Sequence, residues 1–321
     1  MEETVKFENR NGRMLFGIAH VPEVSDQKKN RVGINLLNPG IKYRVAPNRL
    51  NVKIARELCN QGYYVFRFDP EGIGDSSGEL PVGAHVADIW GRIQRGQFVC
   101  DTLDANDYFL ERYKIEKLVL LGNCGGAITA LLSAKEDARV SGLCLIDIPL
   151  KLMSSRMSFA DLIAEDGKKA QWFFSEYMKR LVRPSAWYRF LTLQSNYRAL
   201  WKTVLVNFKG KTREPRGKGA QLNQINEMCR SKQLNPLFFR SFELMRKRET
   251  PILFVLAGND PGTEVFRAYF ERPCLTGLEK DESWNRRIEV FEIEDANHIY
   301  TLEHWQESLI MKIKEWVGKH S

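Results

Sequence analysis

The chain has no apolar run long enough to span a membrane, no Cys-x-x-C pair, and no cluster of cysteine and histidine at metal-ligand spacing. Its six cysteines, Cys59, Cys100, Cys124, Cys144, Cys229 and Cys274, are scattered, which argues against a disulfide framework or a zinc site. With five histidines, few side chains are available for acid–base chemistry near neutral pH. Met1-Glu2-Glu3 opens polar and acidic, without the apolar stretch of a secretory leader. These absences point to a soluble chain in a reducing, cytoplasmic setting, with no cofactor and no metal expected. What is present is 321 residues at 43% apolar composition, enough to bury the core of one large domain with an insertion, or of two smaller domains.

The net charge of +8 is unevenly placed. Residues 151–250 hold 21 Lys and Arg against 8 Asp and Glu, a net +13, which leaves 27 against 32 for the remainder. Such asymmetry marks either a solvated set of helices or a surface that meets an anion. The basic residues are dispersed and no nucleic-acid-reading motif accompanies them, so no nucleic acid partner is expected.

Alternating segments at Val5–Glu8 and Met14–Val21 flank Asn9-Arg10-Asn11-Gly12 and predict a hairpin. Short apolar strands are expected at Val32–Leu37, Tyr63–Asp69, Leu118–Gly122, Val140–Ile148, Ile252–Ala257 and Ile288–Ile293. Helical spacing falls between or after them, at Asn48–Cys59, Phe98–Tyr113, Ala127–Lys135, Val265–Phe270 and Leu302–Val317. This alternation predicts an α/β fold with a mostly parallel sheet flanked by helices, built from residues 1–150 and 250–321. The interval 151–249 breaks the rhythm. Its aromatic residues, Trp172, Tyr177, Trp187, Phe238, Phe239 and Phe242 among them, fall at helical spacings, and a basic, glycine-rich loop spans Lys209–Gly219. It reads as a helical, basic lid.

The most informative pentad is Gly122-Asn123-Cys124-Gly125-Gly126, placed between a strand and a small-residue helix. A G-x-C-x-G turn in that setting holds its central side chain in a strained conformation at the top of a sheet, and only near-absent side chains on either side let strand and helix pass so closely. Cys124 is therefore the candidate nucleophile, with a buried structural cysteine as the alternative. A nucleophile of this kind needs a base, and the base an orienting acid, each after a later strand. Asp260 closes the apolar run Pro251–Ala257 and its turn, and is also placed to cap a helix ahead of Pro261. His298 follows the strand ending at Ile293, and His304 is the backup on the last helix.

Two further patterns fail as phosphate loops. Gly72-Ile73-Gly74-Asp75-Ser76-Ser77-Gly78 has G-x-G-x-x-x-G spacing, with Pro81 following, and reads as a turn supporting the elbow. Gly210-Lys211-Thr212 lacks its first glycine, since Leu205 stands there.

In the order of nucleophile, acid and histidine, in strand context and in lid position, the chain resembles the α/β-hydrolase superfamily. Arg44, Pro47-Asn48-Arg49-Leu50, Phe66-Arg67-Phe68-Asp69 and the Gly72–Gly78 turn are similar to the serine aminopeptidase-like branch that includes the exosortase-associated hydrolases. Those carry serine where this chain has Cys124; cysteine at the elbow is similar to the dienelactone hydrolases, which lack so large a lid. The resemblance implies an oxyanion site made by the backbone N–H of Gly125 and one from Asn38-Pro39-Gly40-Ile41, with Ile41 as the second donor. One such donor is worth ~3 kcal/mol in the transition state.

The implied activity is cleavage of a carboxylic ester or thioester through an acyl-Cys124 intermediate. His298 acts as base and Asp260 orients it. The acyl group is a small-molecule substrate carried in the open, on CoA, or on an acidic carrier protein that the basic lid would attract. Acyl transfer from the same intermediate to an acceptor other than water, and a non-catalytic binding module on the same fold, are the rival readings.

Overall fold

The computed structural model describes residues 1–23, 32–80, 85–153, 229, 232–275 and 287–320. Its strands are β1 (Glu2–Glu8), β2 (Met14–His20), β3 (Val32–Leu37), β4 (Tyr64–Asp69), β5 (Lys117–Asn123), β6 (Val140–Ile146), β7 (Ile252–Ala257) and β8 (Ile288–Ile293). They form one sheet in the order β1-β2-β4-β3-β5-β6-β7-β8. Only the β1/β2 and β2/β4 pairs are antiparallel; β4, β3, β5, β6, β7 and β8 run parallel to one another. The hairpin turn is fixed by its own sequence: Asn9 Oδ1 accepts from the N–H groups of Asn11 and Arg13, and Gly12 takes a φ of +70° that a larger residue would resist.

Alternation along each central strand divides the core in two. Leu118, Leu120, Leu143, Leu145, Ile252 and Phe254 pack in one cluster, whereas Val119, Leu121, Cys144, Ile146, Leu253 and Val255 pack in the other. Both faces being covered explains why these strands read as continuous apolar runs. The first face receives α3 (Val99–Tyr113) and α4 (Gly125–Glu136). The second receives α1 (Leu50–Asn60) and the last helix, Glu303–His320, whose Trp316 is fully buried. Before α3, α2 (Val86–Gln94) occupies a stretch where no helix was predicted.

Within the interval expected as lid, helix α5 (Pro236–Lys247), capped by Asn235 Oδ1 on the Leu237 N–H, buries Phe238, Phe239, Phe242 and Met245 in the first core cluster. Its Phe238 and Phe242 rings surround the buried Phe270 with Phe254 of β7 and Phe266, at centroid distances of 4.6–5.4 Å. Aromatic residues at helical spacing suit a lid and a core equally, and only the partner decides. Residues 154–228, 230 and 231 of the expected lid, including the loop 209–219, lie outside the described residues. The chain leaves and returns through one hydrogen-bonded stem: Leu152 N–H donates to Gln233 O, and Asn235 N–H to Leu150 O. Gln94, at the end of α2, clamps that stem by bonding Lys151 O and Met153 N–H.

Phe266 closes α6 (Pro261–Phe266), which runs on as a π-helical segment, Arg267–Leu275, carrying Phe270; Glu303–His320 is then α7. Truncating Phe270 should leave a cavity among four rings and cost about 3–5 kcal/mol. Urea unfolding of Phe270→Ala against the parent chain checks this. A loss below about 1 kcal/mol would place the ring cluster outside the cooperative core.

Candidate active site

Three segments meet at the C-terminal ends of β3 and β5 with no room between them. A Cβ on Gly126 would stand 2.7 Å from Asn38 O, one on Gly125 would stand 2.7 Å from Gly40 Cα, and one on Gly122 would stand 2.7 Å from Ala127 N. These glycines let α4 start immediately beyond β5, and Cys124 between them takes φ 53°, ψ −115°. That is a strained backbone for a residue with a Cβ, and such strain clusters at functional positions. The conformation is held by the Cys124 N–H, which continues the ladder to Ile146 O at 2.9 Å, and by Cys124 O, which accepts from Ala127 N at 3.0 Å. Half-buried Cys124 thus stands at the first turn of α4, whose N–H groups have no helical acceptor.

The loop after β3 is folded on itself by Asn38, whose Nδ2 donates to Gly40 O and Lys42 O. Gly40 adopts φ +65° beneath the ring of Trp90, which also covers Gly125. Among the described residues, no protein acceptor takes the Ile41 N–H or the Gly125 N–H. The expected oxyanion donors therefore sit on two segments held in contact through Gly40 and Gly125. Trp90, from the unpredicted α2, is the wall of that contact; neither its spacing nor its neighbours marked it in the sequence.

Residues of the resembling motif brace this loop from behind. The Arg44 N–H donates to Asp69 Oδ1 at 2.6 Å, and its guanidinium pairs with Asp69 and Asp75. Asp69 is fully buried, and burial pushes its carboxyl upward against the pull of Arg44. Gly74 is needed because Asp69 fills the space of its side chain. The Gly72–Gly78 loop turns around this buried carboxylate, with Asp75 N–H donating to Asp69 Oδ2. Asn48 adds a tie across the site, donating Nδ2 to Ile299 O at 2.7 Å, next to His298.

Asp260 and His298 come together from the loops after β7 and β8. The loops are stitched by Gly258 N–H to Ile293 O and Asn259 N–H to Ala296 O, both 2.9 Å, and a Cβ on Gly258 would collide with Glu294. Asp260 Oδ2 lies 2.6 Å from His298 Nδ1, while Asp260 Oδ1 accepts from Gly262 N–H at 2.9 Å. Asp260 thus caps α6 with one oxygen and meets His298 Nδ1 with the other. Burial works against the charge of His298, but the hydrogen bond to Asp260 and the nearby Cys124 side chain outweigh it and push the imidazole up to about 12. His304 is exposed on α7, with its ring against Trp305, and is not part of this group.

One site residue was absent from the sequence reading. Asp147 follows β6, adopts φ 45°, and is buried, with Oδ1 accepting from Ala257 N–H at 2.7 Å and Oδ2 4.0 Å from His298 Nδ1. Burial, with the nearby Asp260 charge, pushes it up to about 7. The available signal was its place: the ends of β5, β6 and β7 carry Cys124, Asp147 and Asp260. Asp147, Asp260 and His298 bring ligand atoms within 4.8 Å of one another. The Nδ1 that would bind an ion is the one joined to Asp260, so the arrangement is that of a hydrogen-bonded acid–histidine pair.

The raised His298 gives a sign-checked expectation. Its charged form adds stability that is complete below the unfolded pKa near 6.5 and is lost as pH rises toward about 12. Thermal melts should therefore show the parent chain more stable than His298→Gln at pH 7, with the gap narrowing at pH 10. A gap that widens with pH would contradict the imidazolium.

The sequence model of the alpha/beta hydrolase fold matches residues 47–304. Among curated proteins none matches the chain. Solved structures similar to it over its whole length include the Pyrococcus furiosus esterase Pf2001, at 14% identity and TM-score 0.55, covering 100% of this chain and 91% of that one. The alpha/beta hydrolase GrgF from Penicillium sp. sh18 matches at 16% identity and TM-score 0.52, covering 100% and 99%. Est1E from Butyrivibrio proteoclasticus, solved with ferulic acid bound, matches at 14% identity and TM-score 0.52, covering 98% of each chain. With the strand order, the strained turn after β5 and a family match across most of its length, the chain belongs to the alpha/beta hydrolase fold family.

Proposed function

We propose that this protein is a hydrolase that cleaves a carboxylic ester or thioester through an acyl-Cys124 intermediate. The observation that carries the reading is the strained backbone that sets Cys124 at the head of α4, together with an acid–histidine pair, His298 held at 2.6 Å by Asp260. The thiolate attacks the acyl carbonyl, and the oxyanion is met by Gly125 N–H and Ile41 N–H. The carbon–oxygen or carbon–sulfur bond breaks as His298 passes its proton to the leaving group. His298 then takes a proton from water, which attacks the thioester and restores Cys124. Asp260 fixes the tautomer and balances the imidazolium.

The esterase name of the Pyrococcus furiosus relative supports the ester side of the reading. The thiol supports the thioester side. Exchange between a thioester and a thiolate is nearly balanced, whereas forming a thioester from an oxyester is uphill. The serine aminopeptidase-like motif residues support a branch in which the Arg44–Asp69 brace fixes the oxyanion loop. No helix among the described residues is long and apolar enough to cross a membrane. The scattered spacing of the six cysteines supports a reducing, cytoplasmic setting. Residues 154–224 alone hold 14 Lys and Arg against 5 Asp and Glu, and this net +9 supports a lid that draws in an acidic carrier or a CoA-linked substrate.

Intact-mass spectrometry after brief exposure to a panel of acyl thioesters, lactones and activated esters should show an acyl increment on the parent chain and none on Cys124→Ala. Unchanged mass together with no substrate consumed would turn the assignment toward a binding module. Conversion of the increment into an amide or new thioester on adding an amine or thiol would indicate acyl transfer. For the carrier, turnover of a carrier-linked thioester should fall severalfold between 50 mM and 500 mM salt while the free thioester is unaffected. Equal turnover at both would remove the carrier from the reading.

A further inference from the structure

Asp147 is unused by the chemistry above, yet it is built as carefully as Asp260. It lies in the left-handed region at φ 45°, which aspartate tolerates better than most residues, and this turns its side chain from the end of β6 toward β7. Its own N–H donates to Val255 O at 2.8 Å and its Oδ1 accepts from Ala257 N–H at 2.7 Å, so backbone on both sides of β7's end fixes the carboxyl. Oδ2 is buried without a hydrogen-bond partner and faces His298 Nδ1 at 4.0 Å, the atom that Asp260 binds at 2.6 Å. The fully buried Tyr300 hydroxyl approaches the same carboxyl without reaching hydrogen-bond geometry. An unpaired buried carboxyl oxygen costs free energy, and a fold that keeps one beside a cation has a use for it.

We infer that Asp147 is a second positioning acid for His298, able to take over the Nδ1 proton when the imidazole swings from Asp260. The inference rests on the proposed acyl-Cys124 reading for its consequence in catalysis, but on geometry alone for its existence. A displacement of ~1 Å brings Nδ1 within hydrogen-bond range of Oδ2. The imidazole then keeps the same tautomer, with the proton on Nδ1 and Nε2 available to Cys124, in either position. The ring's proton bond changes from one carboxylate to the other, and no proton is gained or lost.

Around Asp147 the ionisable groups are Asp260 from the loop after β7, His298 and Tyr300 from the loop after β8, and, beyond Tyr300, Cys144 of β6. With Asp260 in place its charge and burial disfavour a second anion, which keeps Asp147 in reserve. Removing Asp260 removes that opposition.

The test compares Asp260→Ser, Asp147→Asn and the double variant. Serine retains the cap oxygen over Gly262 while removing the carboxylate, and asparagine can still accept from Ala257 N–H, so folding is preserved in both by design. The readout is the rate of Cys124 alkylation by iodoacetamide from pH 5.5 to 9, located by peptide mass, which needs no substrate and no turnover. In Asp260→Ser the rate at pH 6.5 should fall by less than about tenfold, and in the double variant by a further tenfold or more. Asp147→Asn alone should change the profile little. If Asp260→Ser already equals the double variant, Asp147 has no part in holding His298. Proton NMR of Asp260→Ser gives an independent reading, since a retained downfield ring N–H supports the second acid and its loss overturns it. Slow, pH-independent labelling of Cys124 in the parent chain would instead strike at the nucleophile assignment itself.

Discussion

The close approach of three backbones beneath Cys124 is the constraint on which the remainder rests. β5, α4 and the loop after β3 meet at Gly40, Gly122, Gly125 and Gly126, where a methyl group on any of the last three would overlap backbone atoms. That contact forces Cys124 to φ 53°, and it brings the N–H groups of Gly125 and Ile41 to neighbouring segments. A residue held so far from a favourable basin costs of order 1–3 kcal/mol. α4 offsets it: every residue from Gly125 to Ala134 is buried, and the helix packs on β5, β6, α2, α3 and α5. At about 25 cal/mol per Å² of apolar area, such a helix outweighs the strain of one residue several times over. The elbow is a local loss secured by a global gain, and for that reason it does not relax.

The other half of the site depends on pairing between loops. Asp260 and His298 are not adjacent in the chain, but Gly258 and Asn259 tie the loop after β7 to the loop after β8, so the acid and the base share one backbone frame. Asp260 is anchored further by capping α6, which orients its second oxygen toward Nδ1 without a rotamer search. Asn48 bonds Ile299 O, and Arg44 bonds the buried Asp69, so the oxyanion loop and the histidine loop are joined through the strands behind them. Positional accuracy here comes from hydrogen bonds between loops, each modest alone, acting on segments already fixed by the sheet.

Fold and site were legible to different depths because they leave different marks. Buried parallel strands are continuous apolar runs, so β3, β5, β7 and β8 were visible within a residue or so. The elbow was visible because steric exclusion selects glycine by identity. Asp260 was readable as an acid after a strand and as a cap, and both descriptions apply because a carboxylate has two oxygens to give. What the aromatic residues of α5 pack against was not readable. Phe238 and Phe242 have the same spacing whether they cover a pocket or, as they do, enclose Phe270. Trp90 and Asp147 were missed for a related reason: their meaning lies in what faces them, Gly40 and Gly125 in one case and His298 in the other. Asp147 followed by Ile148-Pro149 looks like any polar residue closing a strand.

The charge state of the histidine bears on the chemistry at this elbow. An imidazole hydrogen-bonded to Asp260, and pushed up to about 12, rests as a cation. His298 then enters the first step of the proposed mechanism as an acid, with its proton already in place. On the proposed chemistry that shifts the demand to the leaving group, which must depart at least as readily as the cysteine sulfur that displaced it. A thiol leaving group meets that demand without help, and an alkoxide meets it by taking the proton stored on His298. The same stored proton must then return through water during deacylation. The pairing of a strained cysteine with so basic a histidine therefore favours thioesters and activated esters in the first half-reaction, and makes release of the acyl group the slower half.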